Sequence, residues 1–527
     1  MSVDQLGRRL WERIAPSQRA AFFSCIVVGY LVHLYAFTNL IPNGDGLDRV
    51  YDLQQMTVSG RWFLHYASAL NNFTQMPAVI GLLSLLLLGA AAAVAVDLLG
   101  LHSRVLGGLA GAVMAAFPVM GYTFLYMFTA SAYCLAILLA VLSVRLAKGG
   151  KVGWLLAVIA LALTMGAYQA YVTVAISLSL LVVLRETLDP EAGFSGTLKL
   201  GLRLMAYLAA GAVLYYGILL VFLKVKNLEL LSYLGMDAAS SGYPFAQLPQ
   251  LLFDTYKQVV AFFFVPGKAN GFANGWMVAL DLFALALGVY CVFRLLKGKE
   301  LWRFAGAAAM AALLPLGINF GQIISPYSVP TPLMKYAYVA VYLAVLLAVD
   351  RVDALPSARK VSAATLTVVW AAALLLFCLN TNNLLYTSSA QAHRATESYM
   401  TRLMARIEGC PGYEAGMEIA VVGAIPEEHL KANIESYMQV DHYSAPRDTV
   451  AYLNKHVYQY LNDWLNVPVA APAEETMIAI SDSAAFRDMP LYPADGSVQV
   501  LDGRVVVRMQ EVYTPKSDFE IAYENRG

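Results

Sequence analysis

The feature that most constrains this chain is a succession of long apolar segments joined by short polar links. They run from about Ala20 to Ile41 and then at about 77–97, 105–122, 124–144, 153–168, 170–184, 204–223, 276–293, 303–319, 336–349 and 361–380. A helix needs roughly 20 apolar residues to cross a hydrocarbon core about 30 Å thick. Only a helix or a closed barrel satisfies its own backbone polar groups there. The pattern predicts a polytopic α-helical membrane protein with about eleven transmembrane helices. The links Phe117–Phe128 and Gly166–Tyr171 are so short that the segments beside them read equally as broken or re-entrant helices. Charged residues make up 14% of the chain, against about a quarter in a soluble domain. A net charge of zero gives no electrostatic case for a polyanion, so no nucleic-acid partner is expected. The five cysteines form no CxxC and no Cys/His cluster, and four of them stand in apolar runs, as small buried hydrophobes do.

Basic residues set the expected orientation. With the N-terminus inside, eighteen Lys and Arg fall on the cytoplasmic side, and seven fall outside before residue 390: Arg49, Arg61, Lys224, Lys226, Lys257, Lys268 and Lys335. The phase holds through all the segments, so the N-terminus is expected in the cytoplasm and the Asn43–Trp62 loop outside. Residues 1–19 place Leu6, Leu10 and Ile14 four apart beside Arg8, Arg9 and Arg13, which suits a short interfacial helix or a basic leader. Three outer segments stand out: a loop at 42–76, a longer one at 225–275, and 319–336. Within the second, Leu248–Phe264 has the pattern of an amphipathic surface helix. The third carries Pro326, Pro330 and Pro332, which forbid a continuous helix.

After Asn380 the composition changes, dividing the chain into a transmembrane domain over 1–384 and a small extracytoplasmic α/β domain over 385–527. Residues 391–408 read as a helix with alternating charge. Beyond it are three short apolar runs at 417–423, 475–482 and 497–509, the last a hairpin turning at Asp502-Gly503. Helical stretches are expected near Glu427–Tyr437 and Asp448–Asn466.

The loop from Asn43 to Trp62, NGDGLDRVYDLQQMTVSGRW, concentrates Asp45, Asp48, Asp52, Arg49 and Arg61 directly after the first apolar segment. Charge so close to lipid needs partners or work. An N-in first span, an acidic outer loop and many later spans resemble the integral-membrane glycosyltransferases of the C-type fold. NGDGLDR with SGRW about a dozen residues later resembles the bacterial GtrII-type glucosyltransferase family. The motif covers about the first hundred residues, and topology alone carries the next three hundred. That resemblance implies transfer of a sugar, glucose by the family's name, from a polyprenyl-phosphate donor to a hydroxyl of a cell-envelope glycan at the outer face of a bacterial cytoplasmic membrane, with acceptor recognition as the expected task of residues 385–527.

The resemblance makes Asp45 the expected base, with Gly44 and Gly46 letting the backbone approach substrate. Asp48 is the second candidate; if 47–58 is helical, Asp48 and Asp52 share a face, with a solvated surface as the plain alternative. Arg49 and Arg61 suit a donor phosphate through bidentate hydrogen bonds, or serve to hold the base. Lys268 and Lys335 stand at headgroup depth, as phosphate ligands or as ordinary anchors. His65 can polarise a hydroxyl, and Trp62 can stack on a sugar or belong to an interfacial aromatic belt. Tyr122, Tyr126, Tyr133, Tyr168, Gln169 and Tyr171 can line a cavity within the membrane or serve as packing. No cofactor is expected. A divalent cation on the three acids is the weaker alternative, because strict ligand spacing is missing. No nucleotide-binding loop is present. The competing readings are a flippase for a lipid-linked sugar, an O-antigen polymerase or ligase, and an envelope scaffold. Against the first stand the acids gathered in a loop rather than at mid-span; against the second, an outer loop at 225–275 without arginine.

Overall fold

The structure is a computed structural model that describes residues 2–42, 44–47, 57–71, 75–230, 245–267, 272–326, 331–355, 363–426, 450–451 and 453–513. The chain divides into two compact units, Met1–Leu40 with Tyr51–Leu384, and Ile41–Val50 with Leu385–Gly527. The loop predicted at 42–76 is therefore shared between them. The helix Ala363–Glu408 gives its first part to one unit and, from Leu385, its remainder to the other.

The first unit is a helical bundle. Among the described residues nine helices are long and apolar enough to cross a membrane, or ten if one bent pair is a single span. The difference from the expected eleven lies in two places. Lys151–Ala167 is apolar but only 17 residues long. Arg104–Ala116 and Val119–Leu125 meet at a 47° bend. That bend has a local cause, since Pro118 disfavours helical geometry at Phe117, whose ψ of 128° leaves the helical region. Close helix packing also stems from sequence. A Cβ on Gly107 would lie 2.6 Å from the Ser17 carbonyl oxygen, and one on Gly111 would lie 2.1 Å from that of Ala21. Two glycines four apart thus let Arg104–Ala116 touch the backbone of Pro16–Thr38.

The amphipathic segment at 248–264 is one helix, Leu248–Phe264, with Leu251, Thr255, Val259 and Phe262 buried along a single stripe. In the third outer segment a short helix, Phe320–Ile324, ends ahead of Pro326, and the chain resumes as a tight helix at Pro332–Val339. At the N-terminus Val3–Arg13 is helical, closed by a reciprocal Ser2–Gln5 capping box.

The second unit is built on a mixed three-stranded sheet of β1 (Ile419–Val422), β2 (Val498–Leu501) and β3 (Arg504–Arg508), ordered β1-β3-β2. β3 runs parallel to β1 and antiparallel to β2. Asp502 and Gly503 both take positive φ, 50° and 74°, as a two-residue hairpin turn requires. The β3 side chains alternate: Val505 and Val507 enter a core with Leu403, Val457 and Leu461, while Val506 meets Met477 and Phe486 on the other face. Tyr458 closes the outer edge of β1, its hydroxyl donating to the Ile419 carbonyl and accepting from the Val421 N–H, both at 2.9 Å. Burial pushes that phenol well above the ordinary tyrosine value, which keeps the proton it donates. The middle apolar run is a helix, Glu474–Asp482, whose buried Met477 and Ser481 are four apart. The expected stretch at 448–466 contains the helix Asn454–Gln459 and a wider turn, Tyr460–Trp464. The stretch 427–437 lies outside the described residues.

Candidate functional site

The second half of the acidic loop enters the bundle as a tight turn. The Gly60 N–H donates to the Thr57 carbonyl at 3.0 Å, and Gly60 has φ +80°, a conformation that glycine adopts without strain. Two side chains from distant helices hold the turn's outward carbonyls. Gln169 Nε2 donates to the Ser59 carbonyl at 2.7 Å, and the Tyr215 hydroxyl donates to the Gly60 carbonyl at 3.1 Å. A Cβ on residue 60 would lie 2.3 Å from Gln169 Nε2 and 2.6 Å from the Tyr215 hydroxyl, so the two donors occupy the space a side chain would need. Lys226, ending the helix Phe194–Lys226, adds a bond from Nζ to Thr57 Oγ1 at 3.2 Å.

The residues just after the turn are fixed as firmly. The Phe63 N–H donates to the Gly166 carbonyl at 2.7 Å. Trp62, only 6% exposed, stacks on Phe222 at 5.6 Å and fills the space left by the missing side chain of Gly166. Arg61 lies between these anchors, partly buried, with its guanidinium 5.2 Å from the centre of the Tyr168 ring. Such a contact is worth ~0.5–2 kcal/mol, more as water is excluded.

Tyr168 is exposed to Arg61 because the helix Lys151–Ala167 stops there and the chain re-enters a helix at Val172. The break gathers tyrosines. Tyr133 stacks on Tyr168 at 4.7 Å, Tyr171 meets Tyr168 edge-on at 5.1 Å, and Tyr336 meets Tyr171 at 6.4 Å. Next to Tyr336 in sequence, Lys335 is 2% exposed, with its ammonium 5.5 Å from the Phe262 ring centre. Arg61 thus lies against one end of the tyrosine cluster, in surroundings where water screens charge weakly. That is an arrangement suited to an anionic group.

His65 is exposed on the short helix Leu64–Ser68, edge-on to Tyr66. The backbone of Asp45 lies in the helix Gly44–Leu47, in the second unit with Leu385–Gly527. Asp48, Arg49, Asp52 and Lys268 lie outside the described residues. Among the described residues no three His, Cys, Asp or Glu are grouped to hold a metal ion. Sequence pattern does not single out Tyr215 or Lys226 as parts of a site, and it marks Gly60 only as one letter of SGRW. The nearest signal is Gln169, an amide in an apolar segment beside a helix break.

A bundle with this many long apolar helices defines a multi-pass membrane protein. The family profile described as Glucosyl transferase GtrII matches residues 34–348, more than half of the chain, and the protein belongs to that family of membrane glycosyltransferases. No curated protein and no solved structure matches the chain.

Proposed function

We propose that this protein transfers glucose from a polyprenyl-phosphate donor to a hydroxyl of a cell-envelope glycan at the outer face of a bacterial cytoplasmic membrane. The observation that carries this reading is the turn Ser59–Trp62, which fixes Arg61 over Tyr168 at one end of a tyrosine cluster. In the proposed reaction the acceptor oxygen bonds to the anomeric carbon as the bond to the donor's phosphate oxygen breaks. The acceptor proton passes to a carboxylate, for which Asp45 is the candidate and Asp48 the second. Negative charge grows on the departing polyprenyl phosphate, and Arg61 and Lys335 are the cations suited to receive it. Arg49, Asp52 and Lys268 remain candidates for holding substrate. One displacement inverts the anomeric centre. Membership of a glucosyltransferase family favours this reading over a flippase or a polymerase.

The test is radiolabelled glucose transfer from polyprenyl-phosphate glucose to the host glycan in membranes. Asp45→Asn removes the base and is expected to lower kcat by about 10²–10⁴. Arg61→Ala is expected to cost ~10²–10³ in kcat, as loss of one preorganised charge-stabilising donor does. Full activity in Asp48→Asn together with loss in Asp45→Asn assigns the base; the reverse moves it to Asp48. A wild-type protein that transfers no glucose from any lipid-phosphate donor overturns the reading.

A further inference from the structure

Residues 41–50 come directly after the first membrane helix in sequence but fold with the C-terminal unit. Inside that unit the helix Gly44–Leu47 lies against the helix Asn454–Gln459. Leu47 is 3% exposed and shares one core with Met400, Leu403, Val457 and Leu461. Ile41 and Pro42 are buried as well. A four-residue helix has no stability of its own, because nucleation costs more than its few hydrogen bonds return. Two of its four residues are glycines, which lose the most backbone freedom on ordering. The conformation of this segment must therefore come from tertiary packing, and Leu47 is the apolar side chain within it that supplies the packing.

We infer that the C-terminal unit is part of the catalytic apparatus, and that Leu47 is a positioning residue that seats the Asp45 segment on it. The inference rests on the reading of Asp45 as the base. It assigns residues 385–527 a task beyond acceptor recognition: they fix the backbone from which the base acts. Losing that anchorage should lower turnover without weakening the hold on either substrate.

The experiment uses the full chain in membranes, with Leu47→Ala, Leu47→Met and Leu47→Cys. Leu47→Ala is expected to lower kcat at least tenfold with the KM for donor and for glycan unchanged, and Leu47→Met, which restores the volume, is expected to recover most of it. In an Asp45→Asn background Leu47→Ala should cause no further loss, because both act through one group. Unchanged kcat in Leu47→Ala, a rise confined to the acceptor KM, or losses that multiply in the double variant overturns the inference. Leu47→Cys reports the packing without reference to activity. It should resist a water-soluble maleimide that labels Ala494→Cys, an exposed position in the same unit. Equal labelling of the two sinks the inference even if transfer is observed. Protection of Leu47→Cys in a protein that transfers nothing leaves the packing intact and removes the proposed function.

Discussion

Gly60→Ala is the sharpest probe of the turn that carries Arg61. The backbone there has φ +80°, where an alanine costs ~1–2 kcal/mol. The new methyl would meet Gln169 Nε2 at 2.3 Å and the Tyr215 hydroxyl at 2.6 Å, so both donors must leave their carbonyls. Each displaced hydrogen bond costs about 1 kcal/mol net, and more where the carbonyl stays dry. Together these amount to ~3–5 kcal/mol borne by one turn. The membrane helices keep their own hydrogen bonds, so the turn should move while the bundle survives. Moving Arg61 off Tyr168 should then lower glucose transfer about 10²-fold, the scale of losing one preorganised donor. Transfer in membranes and thermal stability in detergent should be read on the same preparations. Because part of the cost comes from colliding with Gln169, Gly60→Ala should be less damaging in a Gln169→Ala background than in wild type. Full activity in Gly60→Ala, or additive losses in the pair, would refute the view that this turn aims Arg61.

Two further predictions concern stability. Arg303 is 3% exposed and donates to the carbonyls of Thr187, Asp189, Pro190 and Ala192 and to the exposed Glu300, so Arg303→Ala should cost about 4 kcal/mol, ~1 kcal/mol for each carbonyl that loses its donor, read as a lower Tm in detergent with activity per folded molecule unchanged. Arg303→Lys should recover little, because one ammonium cannot reproduce the planar fork; near-complete recovery would show that charge alone matters. Within the helix Gly275–Leu296, Asp281 Oδ1 accepts from the buried Tyr342 hydroxyl at 2.9 Å. Asp281→Asn keeps an acceptor and should stay close to wild type in thermal stability, whereas Asp281→Ala should lose about 1–3 kcal/mol. Equal damage from both would mean that the carboxylate's charge, and not the hydrogen bond, is what the bundle uses.

The sequence disclosed what lipid and turn chemistry force into a local pattern. A span must be long and apolar, so Pro16–Thr38, Pro77–Leu99 and Met127–Ala147 were legible as runs. Asp502-Gly503 announced a hairpin because few other pairs tolerate positive φ twice in succession. The stripe of Leu248–Phe264 was equally plain. Long-range partners stayed hidden. Tyr215 reaches Gly60 across 155 positions, and in sequence it is one more tyrosine in an apolar run. Trp62 looked like a residue for the interface or a sugar, and its burial depends on Gly166, whose missing side chain has no meaning until the two segments meet. The same logic explains the acidic loop. Its composition reads as one polar segment between two spans, yet Ile41–Val50 folds with Leu385–Gly527 while Arg61 and Trp62 fold into the bundle. The clearest signal for that division is Leu47, set among glycines and charges in NGDGLDR. An isolated leucine in a polar loop says little by itself; it becomes informative once a core more than 350 residues later is found to include it. If the base is Asp45, its ordering depends on a domain that the chain has yet to synthesise when the loop emerges. On that reading the segment Gly44–Leu47 takes up its packed conformation only once the core that holds Leu47 has formed, and the C-terminal unit acts in turnover through that packing.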